Sequence, residues 1–439
     1  WGISQTQQMA YGSQGVFLPI NEYIEPYGAN MQQMFEDYPL MRDLITMPDG
    51  NIYALPNTDD FYEGRLPHKL WIWQPWLDAV GMDAPTTVEE FAAVLDAFAT
   101  EDPNGNGEAD EIALSGNLAA NTATFLPFIM NSFVYAGGEN YTYLENGEVQ
   151  VAYTQPGWRE GLEYMAELYE AGLIAPESFT QDAAGFRQAN AEETLVGAFT
   201  DLAPWRAFPE LYANDRWTNW TPVSPLEGPN GMRVASYNPY AIGWFDGLII
   251  TSEAQYPEVL FRWGEGMYEQ EVTLRKYYGR PDQEWRYAEA DEVGINGKPA
   301  IWASLAESGG EVDVPTDHSW MHVGPHYRSA DFRNGQVVAG GIEGHPQASL
   351  YKYTIDTGTP YAQDVENVVP PLVFNEAQAT EVAGLQTSIL NYVNEMIARF
   401  ITGDADIDAG WDEYLAEFDA LNVDRYVEIL QEAYTAKYE

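Results

Sequence analysis

Apolar and polar positions fall into blocks along this chain, and the clearest block runs from Leu66 to Ile112. Lys69, Leu70, Trp71, Ile72 and Trp73 form a run of aromatic and branched residues that stops at Pro75, which predicts one buried strand. Trp76, Leu77 and Val80 then share one helical face, and Gly81 stands where a left-handed C-cap is needed. A second helix follows: Thr86 or Thr87 can cap it, Glu89 and Glu90 occupy its first turn, and Phe91, Val94, Leu95 and Phe98 trace its buried stripe.

The same reading extends along the chain. Residues 1–20 read as a strand end, a polar turn and a short helix, and 21–44 as a surface segment with helical patches. Asp49-Gly50 turns into a strand ending near Leu55, and Pro56 to Pro67 is a polar, aromatic loop. Asn146-Gly147 splits two short strands, and Pro156 to Gly172 is a helix with Leu162, Met165, Ala166 and Tyr169 on one face. Leu195 to Thr200 is a buried strand that delivers Asp201 and Trp205 into a loop, and Ala241 to Thr251 is another apolar strand. The helix from Pro257 to Tyr268 holds Leu260, Phe261, Trp263 and Met267; Arg280 to Gly341 is loop-rich; a long helix from Ala377 to Ile401 and two more close the chain. Strands alternating with helices give an α/β chain.

The loop after the helix of Phe91 reads Asp102, Pro103, Asn104, Gly105, Asn106, Gly107, Glu108, Ala109, Asp110, Glu111. Oxygen-bearing side chains recur at every second position, and calcium takes six to eight such ligands. An EF-hand carries a bidentate Glu at its twelfth position; here that position is Ala113, so Asp110 and Glu111 would have to close the shell. The competing reading is a solvated Asn/Gly turn without an ion.

Composition narrows the partners. With 439 residues the chain suits two lobes, and 68 acidic against 20 basic residues give a net charge of −48, which makes nucleic acid and anionic membranes poor partners. The simplest meaning of that charge is a solvated surface. Absence of cysteine excludes disulfides, zinc thiolates and thiol nucleophiles within these residues. His318, His322 and His326 recur every four residues, but Gly and Pro interrupt any helix there, so zinc is not expected.

Four blocks together carry a family resemblance: LPHKLWIWQPWLDAVGMDAPTTVEEFAAVLDAF, DPNGNGEADEI, NGEVQVAYTQPGWREGLEYMAELYEAGLIAPESFTQD and FITGDADIDAGWDEYLAEFDALNVDRYVEILQEAY. They resemble the extracellular solute-binding proteins of family 1, the carbohydrate-binding lipoproteins of ABC importers, in the branch that includes alginate-oligosaccharide-binding proteins. The resemblance implies a two-lobed, periplasmic-binding-protein-like fold (type II) with the ligand cleft between lobes. Residues 1–68 plus 251–340 would form the N-terminal lobe, and 69–250 plus 341–439 the C-terminal lobe with the calcium loop. Lys69 to Trp73 and Ile242 to Ile250 would be the crossovers. It also implies structural calcium held by Asp102, Asn104, Asn106, the carbonyl of Glu108, Asp110 and Glu111. The partners implied are an oligosaccharide and the permease subunits of an ABC transporter; nucleic acid is excluded. The protein would be a monomer, extracellular on the cell surface or periplasmic, attached to the membrane only by an N-terminal lipid anchor not present in this chain. Family members begin with a signal peptide, an acylated cysteine and a strand-helix unit ahead of the position of Trp1, so the first sheet is expected to lack a central strand.

A sugar offers flat C–H faces and a rim of hydroxyls, which calls for aromatic platforms and planar polar groups. The candidates at predicted strand ends and loops are Trp1, Ser4, Asn57, Asp59, Asp60, Tyr62, Asn121, Asp201, Trp205 and Trp244. Trp1 and Ser4 match, by resemblance, the first-lobe segment that meets sugar in maltodextrin-binding relatives. Trp302, Trp320, His326 and Tyr327 could add a further wall, and any single Trp among the 14 could instead be core. No G-x-S-x-G, P-loop or H-E-x-x-H motif is present, so an enzyme is not expected. Two other readings stay open: a glycoside hydrolase using a carboxylate pair, and a carbohydrate-sensing receptor module.

Overall fold

The computed structural model describes residues 2–118, 123–191, 195–209, 215–305, 320, 324–339, 341–342 and 344–438. Its strands are β1 (Ala54–Asp59), β2 (Lys69–Trp73), β3 (Ile112–Ser115), β4 (Thr142–Glu145), β5 (Glu148–Val151), β6 (Val196–Asp201), β7 (Trp220–Val223), β8 (Gly243–Ile249), β9 (Trp285–Tyr287), β10 (Trp302–Ser304) and β11 (Tyr327–Arg328). They make a three-stranded sheet, β11-β1-β8, and a four-stranded sheet, β3-β6-β2-β7, with two further two-stranded pairs. Each main sheet has its own core. Ile20, Met31, Met34, Leu44, Leu55 and Ile250 pack in the first lobe. Trp71, Trp76, Phe91, Leu162, Phe199 and the closing helices fill the second.

Local signals act where the sequence places them. Every residue of β2 is buried, as a strand covered on both faces requires. Gly81 ends the helix Gln74–Val80 at φ 67°, where a side chain would be strained. The Oγ of Thr87 accepts from the Glu90 amide, while the carboxylate of Glu90 accepts from Thr86, so both threonines contribute to one cap. Asn146 and Gly147, at φ 54° and 83°, turn β4 into β5.

The structure refines two of the readings and changes a third. Residues 21–44 are a helical surface segment, mostly exposed, whose inner face is core: the helices Asn21–Tyr27, Ala29–Asp37 and Pro39–Ile45 bury Met31, Met34, Met41 and Leu44 in the first lobe. On the helix Pro257–Glu265, Phe261 is buried but Trp263 is 58% exposed and Leu260 41%, because the first-lobe sheet takes only one narrow side of that helix. β8 hydrogen-bonds antiparallel to β1, from Ala54 opposite Ile249 to Thr58 opposite Gly243. The strand expected as the second crossover therefore lies in the first sheet, and a lobe boundary at residue 250 would cut that sheet.

This topology leads the chain from one strand edge to another. β1 ends at Asp59 beside Arg328, the last residue of the parallel β11, and β8 begins at that edge with Trp244 opposite Asn57. Ten residues after Asp59 the chain enters the second sheet at Lys69, which pairs with Asp201 at the end of β6. Ligands of open α/β sheets bind at such strand ends.

Candidate functional site

The first-lobe edge is a packed polar cluster. Asp59 accepts from Arg328 at 2.9 Å and from Arg333 at 2.7 Å; Arg328 is buried, and Asp59 and Arg333 are largely so. Burial alone would raise the Asp59 carboxyl, but the two guanidinium groups hold it below the usual carboxylate range. Arg328 stacks 4.0 Å over the ring of Tyr277, and Arg333 4.4 Å over Phe61. His326 bonds Lys276 Nζ through Nδ1 at 3.0 Å and the Tyr277 hydroxyl through Nε2 at 2.9 Å. Both ring nitrogens are thus engaged within the protein and offer nothing to a metal. Burial, then the Lys276 charge, pushes His326 down to about 3, so its ring is neutral. Burial also lowers Lys276 to about 7.

The crossing between the sheets is charged as well. Lys69 is buried, its Nζ donating to the carbonyls of Glu63, at 2.8 Å, and Leu66. Burial lowers it to about 7 against the opposing pull of Glu63 and Asp201. Asp60 accepts from Arg65 at 2.6 Å and from the Tyr38 hydroxyl at 2.9 Å. Asp201 pairs with Arg206 at 3.0 Å and accepts from the Leu202 amide at 2.6 Å. Glu63 lines a small internal cavity with Tyr278, Arg328, Arg333 and Gln347.

Against this map the candidates divide. Trp244 is 58% exposed at the edge of β8, its ring 6.3 Å from that of His326, and can serve as a platform. Asn57, opposite it at a β-bulge, has a buried side-chain oxygen without a hydrogen-bond partner. The Tyr62 hydroxyl meets Thr359 at 2.9 Å. Asp59, Asp60 and Asp201 lie at the edges but are held by arginines. Trp205 is 5% exposed and packs edge-on to Trp217 in the second core. Ser4 caps the helix Gln5–Ser13. Trp1, Asn121, His318 and His322 lie outside the described residues. Of the further wall, Trp320 is 64% exposed, with its amide bonded to the Lys276 carbonyl, whereas Trp302 is buried against Tyr278 and Phe332. Tyr327 donates to Asp37, away from the edge. The sequence reading missed Lys69, Lys276, Tyr277, Arg328 and Arg333; a lysine heading a fully apolar run was the one local signal for any of them.

The loop 102–111 closes on itself. The side-chain amides of Asn104 and Asn106 reach the Asp110 carboxylate at 3.0 and 3.1 Å, and Asp102 accepts from the Gly107 amide at 3.1 Å. The side-chain oxygens of the two asparagines accept backbone amides of the same loop, Asn104 from Asn106 at 2.9 Å and Asn106 from Glu108 at 2.7 Å. The Glu111 Oε1 is buried without a partner. Among the described residues no three Asp, Glu, His or Cys side chains form a metal-holding group. Amide and backbone oxygens would therefore have to supply much of any shell, as calcium allows.

No protein-family model matches the chain. It is 25% identical over 450 residues to FusA, the fructooligosaccharide ABC transporter substrate-binding protein of Streptococcus pneumoniae serotype 4, covering 99% of this chain and 78% of the relative. The structure of FusA with kestose superposes with a TM-score of 0.74 at 21% identity, covering 98% of this chain and 86% of FusA; an EF-hand mutant of FusA matches with the same score. An HMO-binding, ABC-transporter-associated solute-binding protein of Bifidobacterium longum infantis gives 0.74 at 20% identity over 98% and 85% of the two chains. The alginate-binding protein AlgQ2 without calcium ion gives 0.70 at 19% identity over 98% and 84%. The α/β architecture is that of two-lobed solute-binding proteins.

Proposed function

Because this chain is a homologue of the substrate-binding proteins of ABC transporters, we propose that it captures an oligosaccharide between its two lobes and delivers it to a permease. The observation that carries this is similarity to FusA along 99% of the chain, joined to an exposed Trp244 at the strand edge where a ligand would sit. The edge suits capture. Trp244 offers a face to C–H groups, Asn57 and Tyr62 offer neutral polar groups, and the segment 60–68 between the sheets is short enough to act as one strand of a hinge. The relatives named above are binding proteins of transporters, not enzymes. Asp59, Asp60 and Asp201 are each tied to arginine, which suits a scaffold. Work outside the cytoplasm fits a chain without cysteine, and among the described residues no helix is long and apolar enough to cross a membrane.

The second part of the proposal is a structural calcium ion in the loop 102–111. Its support is the donor set Asp102, Asn104, Asn106, Glu108 carbonyl, Asp110 and Glu111, the partnerless Glu111 oxygen, and the EF-hand of FusA. Bound calcium would tie the end of the helix Val88–Thr100 to the start of β3.

A thermal-shift screen against oligosaccharides, followed by recovery of the ligand, tests capture. A ligand at about a hundred times its Kd adds roughly 2.7 kcal/mol to stability. Recovery of intact sugar is expected; shortened products would refute capture in favour of hydrolysis.

A further inference from the structure

We infer that the captured ligand is an electrically neutral oligosaccharide, because every cation at the two strand edges is already committed to a group of the protein. The inference rests on the capture reading and narrows it, since FusA binds fructooligosaccharides whereas AlgQ2 binds alginate, a polyuronate.

The cations can be followed one by one. On the first-lobe edge Arg328 and Arg333 share Asp59, and the same two guanidinium groups line the cavity that holds Glu63. Between the sheets Arg65 is spent on Asp60, and on the second edge Arg206 on Asp201. Four guanidinium groups are thus paired with three carboxylates, Asp59, Asp60 and Asp201, and Glu63 lines the cavity beside two of them. Three cationic side chains remain: Lys69 and Lys276 are buried with the nitrogen of each occupied by backbone carbonyls, and the half-buried Arg187 is turned onto the Arg206 carbonyl, to which its Nε donates at 3.2 Å. Residues outside the described set contain no lysine or arginine, so this chain has no other cation to bring to the edge from its undescribed stretches.

A uronate, sulfate or phosphate on the ligand would therefore have to leave water without gaining a partner charge, which a buried carboxylate does not tolerate. The remainder of the molecule acts in the same direction, since a net charge of −48 opposes the approach of a polyanion. A neutral sugar meets neither penalty and can still use the Trp244 face and the Asn57 amide.

Calorimetric titration of two series matched in length distinguishes the cases: neutral fructo- and gluco-oligosaccharides, and oligogalacturonates with oligomannuronates. Each is measured at about 20 mM and about 500 mM salt, between which screening changes several-fold. We expect binding by a neutral sugar alone, with affinity changing less than about twofold between the two salt levels. Binding of a uronate series, weakening about tenfold or more as salt rises, would overturn the inference and leave capture standing. Heat from neither series would overturn capture itself, and this inference with it. Asp201→Asn adds an independent arm, since it frees Arg206, whose side chain is 40% exposed, at little cost in volume. The folded variant is expected to gain uronate affinity by about tenfold, and no gain would refute charge balance as the cause of the selectivity. Arg206→Gln repeats the test from the other side if Asp201→Asn does not fold: neutral-sugar binding is expected to persist without a gain in uronate affinity, and a loss of uronate binding would show that Arg206 was available to an acidic ligand.

Discussion

Replacing Lys69 with Met should make the stability gap between the two proteins grow as pH rises above neutrality. In the folded chain Lys69 is buried and its nitrogen donates to two carbonyls, an arrangement that a neutral amine with two N–H groups satisfies. Burial lowers its pKa to about 7. Unfolded, the same amine titrates near about 10.4. Between those values the unfolded state holds one more proton than the folded state, so stability rises with pH by up to about 1.4 kcal/mol per unit. From pH 7 to pH 9 that amounts to roughly 2 to 3 kcal/mol. Below pH 7 both states carry the proton and the dependence vanishes. Methionine cannot titrate, and it strands the Glu63 and Leu66 carbonyls at a pH-independent cost of about 1–3 kcal/mol. Wild type therefore exceeds the variant least near neutrality and most in alkali. Urea midpoints of both proteins, taken from about pH 6.5 to about pH 9.5, read the difference, and groups common to both, Lys276 among them, cancel. A gap that stays constant, or narrows as pH rises, would show that Lys69 is charged in the folded protein and would refute the reasoning.

Three other outcomes follow from the same geometry. Asp59→Ala leaves Arg328 and Arg333 buried without their carboxylate and should cost about 3–5 kcal/mol in urea unfolding; a loss below about 1 kcal/mol would mean that the cluster re-solvates. Trp244→Ala removes an exposed face, so it should change stability by less than about 0.5 kcal/mol yet weaken sugar binding roughly tenfold in calorimetry, and unaltered affinity would place the platform elsewhere. Asp102→Ala should bring the Tm measured in calcium buffer down to that of the chelated wild type, and an unshifted Tm would remove calcium from the loop.

Much of the second lobe was legible because its signals are local. Thr87, Gly81 and the Asn146-Gly147 pair each specify the backbone within a few residues, and the structure puts a cap, a left-handed stop and a hairpin turn at those places. Pattern alone failed where a partner decides the outcome. The helix Pro257–Glu265 has apolar residues on more than one side, and only the sheet it packs on determines that Phe261 is buried and Trp263 is not. Likewise β8 reads as a buried strand in either lobe, and its pairing with β1 lies almost two hundred residues away in the chain.

The edge residues expose the same limit in electrostatic form. Asp59, Asp60 and Asp201 were found as acids at strand ends, but residue type does not disclose whether an acid faces ligand or partner. The arginines that hold Asp59 lie 269 and 274 residues downstream, in a stretch without clear periodicity. Scarcity offers a sharper guide than pattern here. In a chain with 68 acidic and 20 basic residues most carboxylates can find only water, so a buried carboxylate must be supplied with a cation at the expense of the surface. Four of the few guanidinium groups are placed at one crossing between the sheets. Such a concentration is what neutralising that crossing requires, and it consumes the charges that an acidic ligand would need.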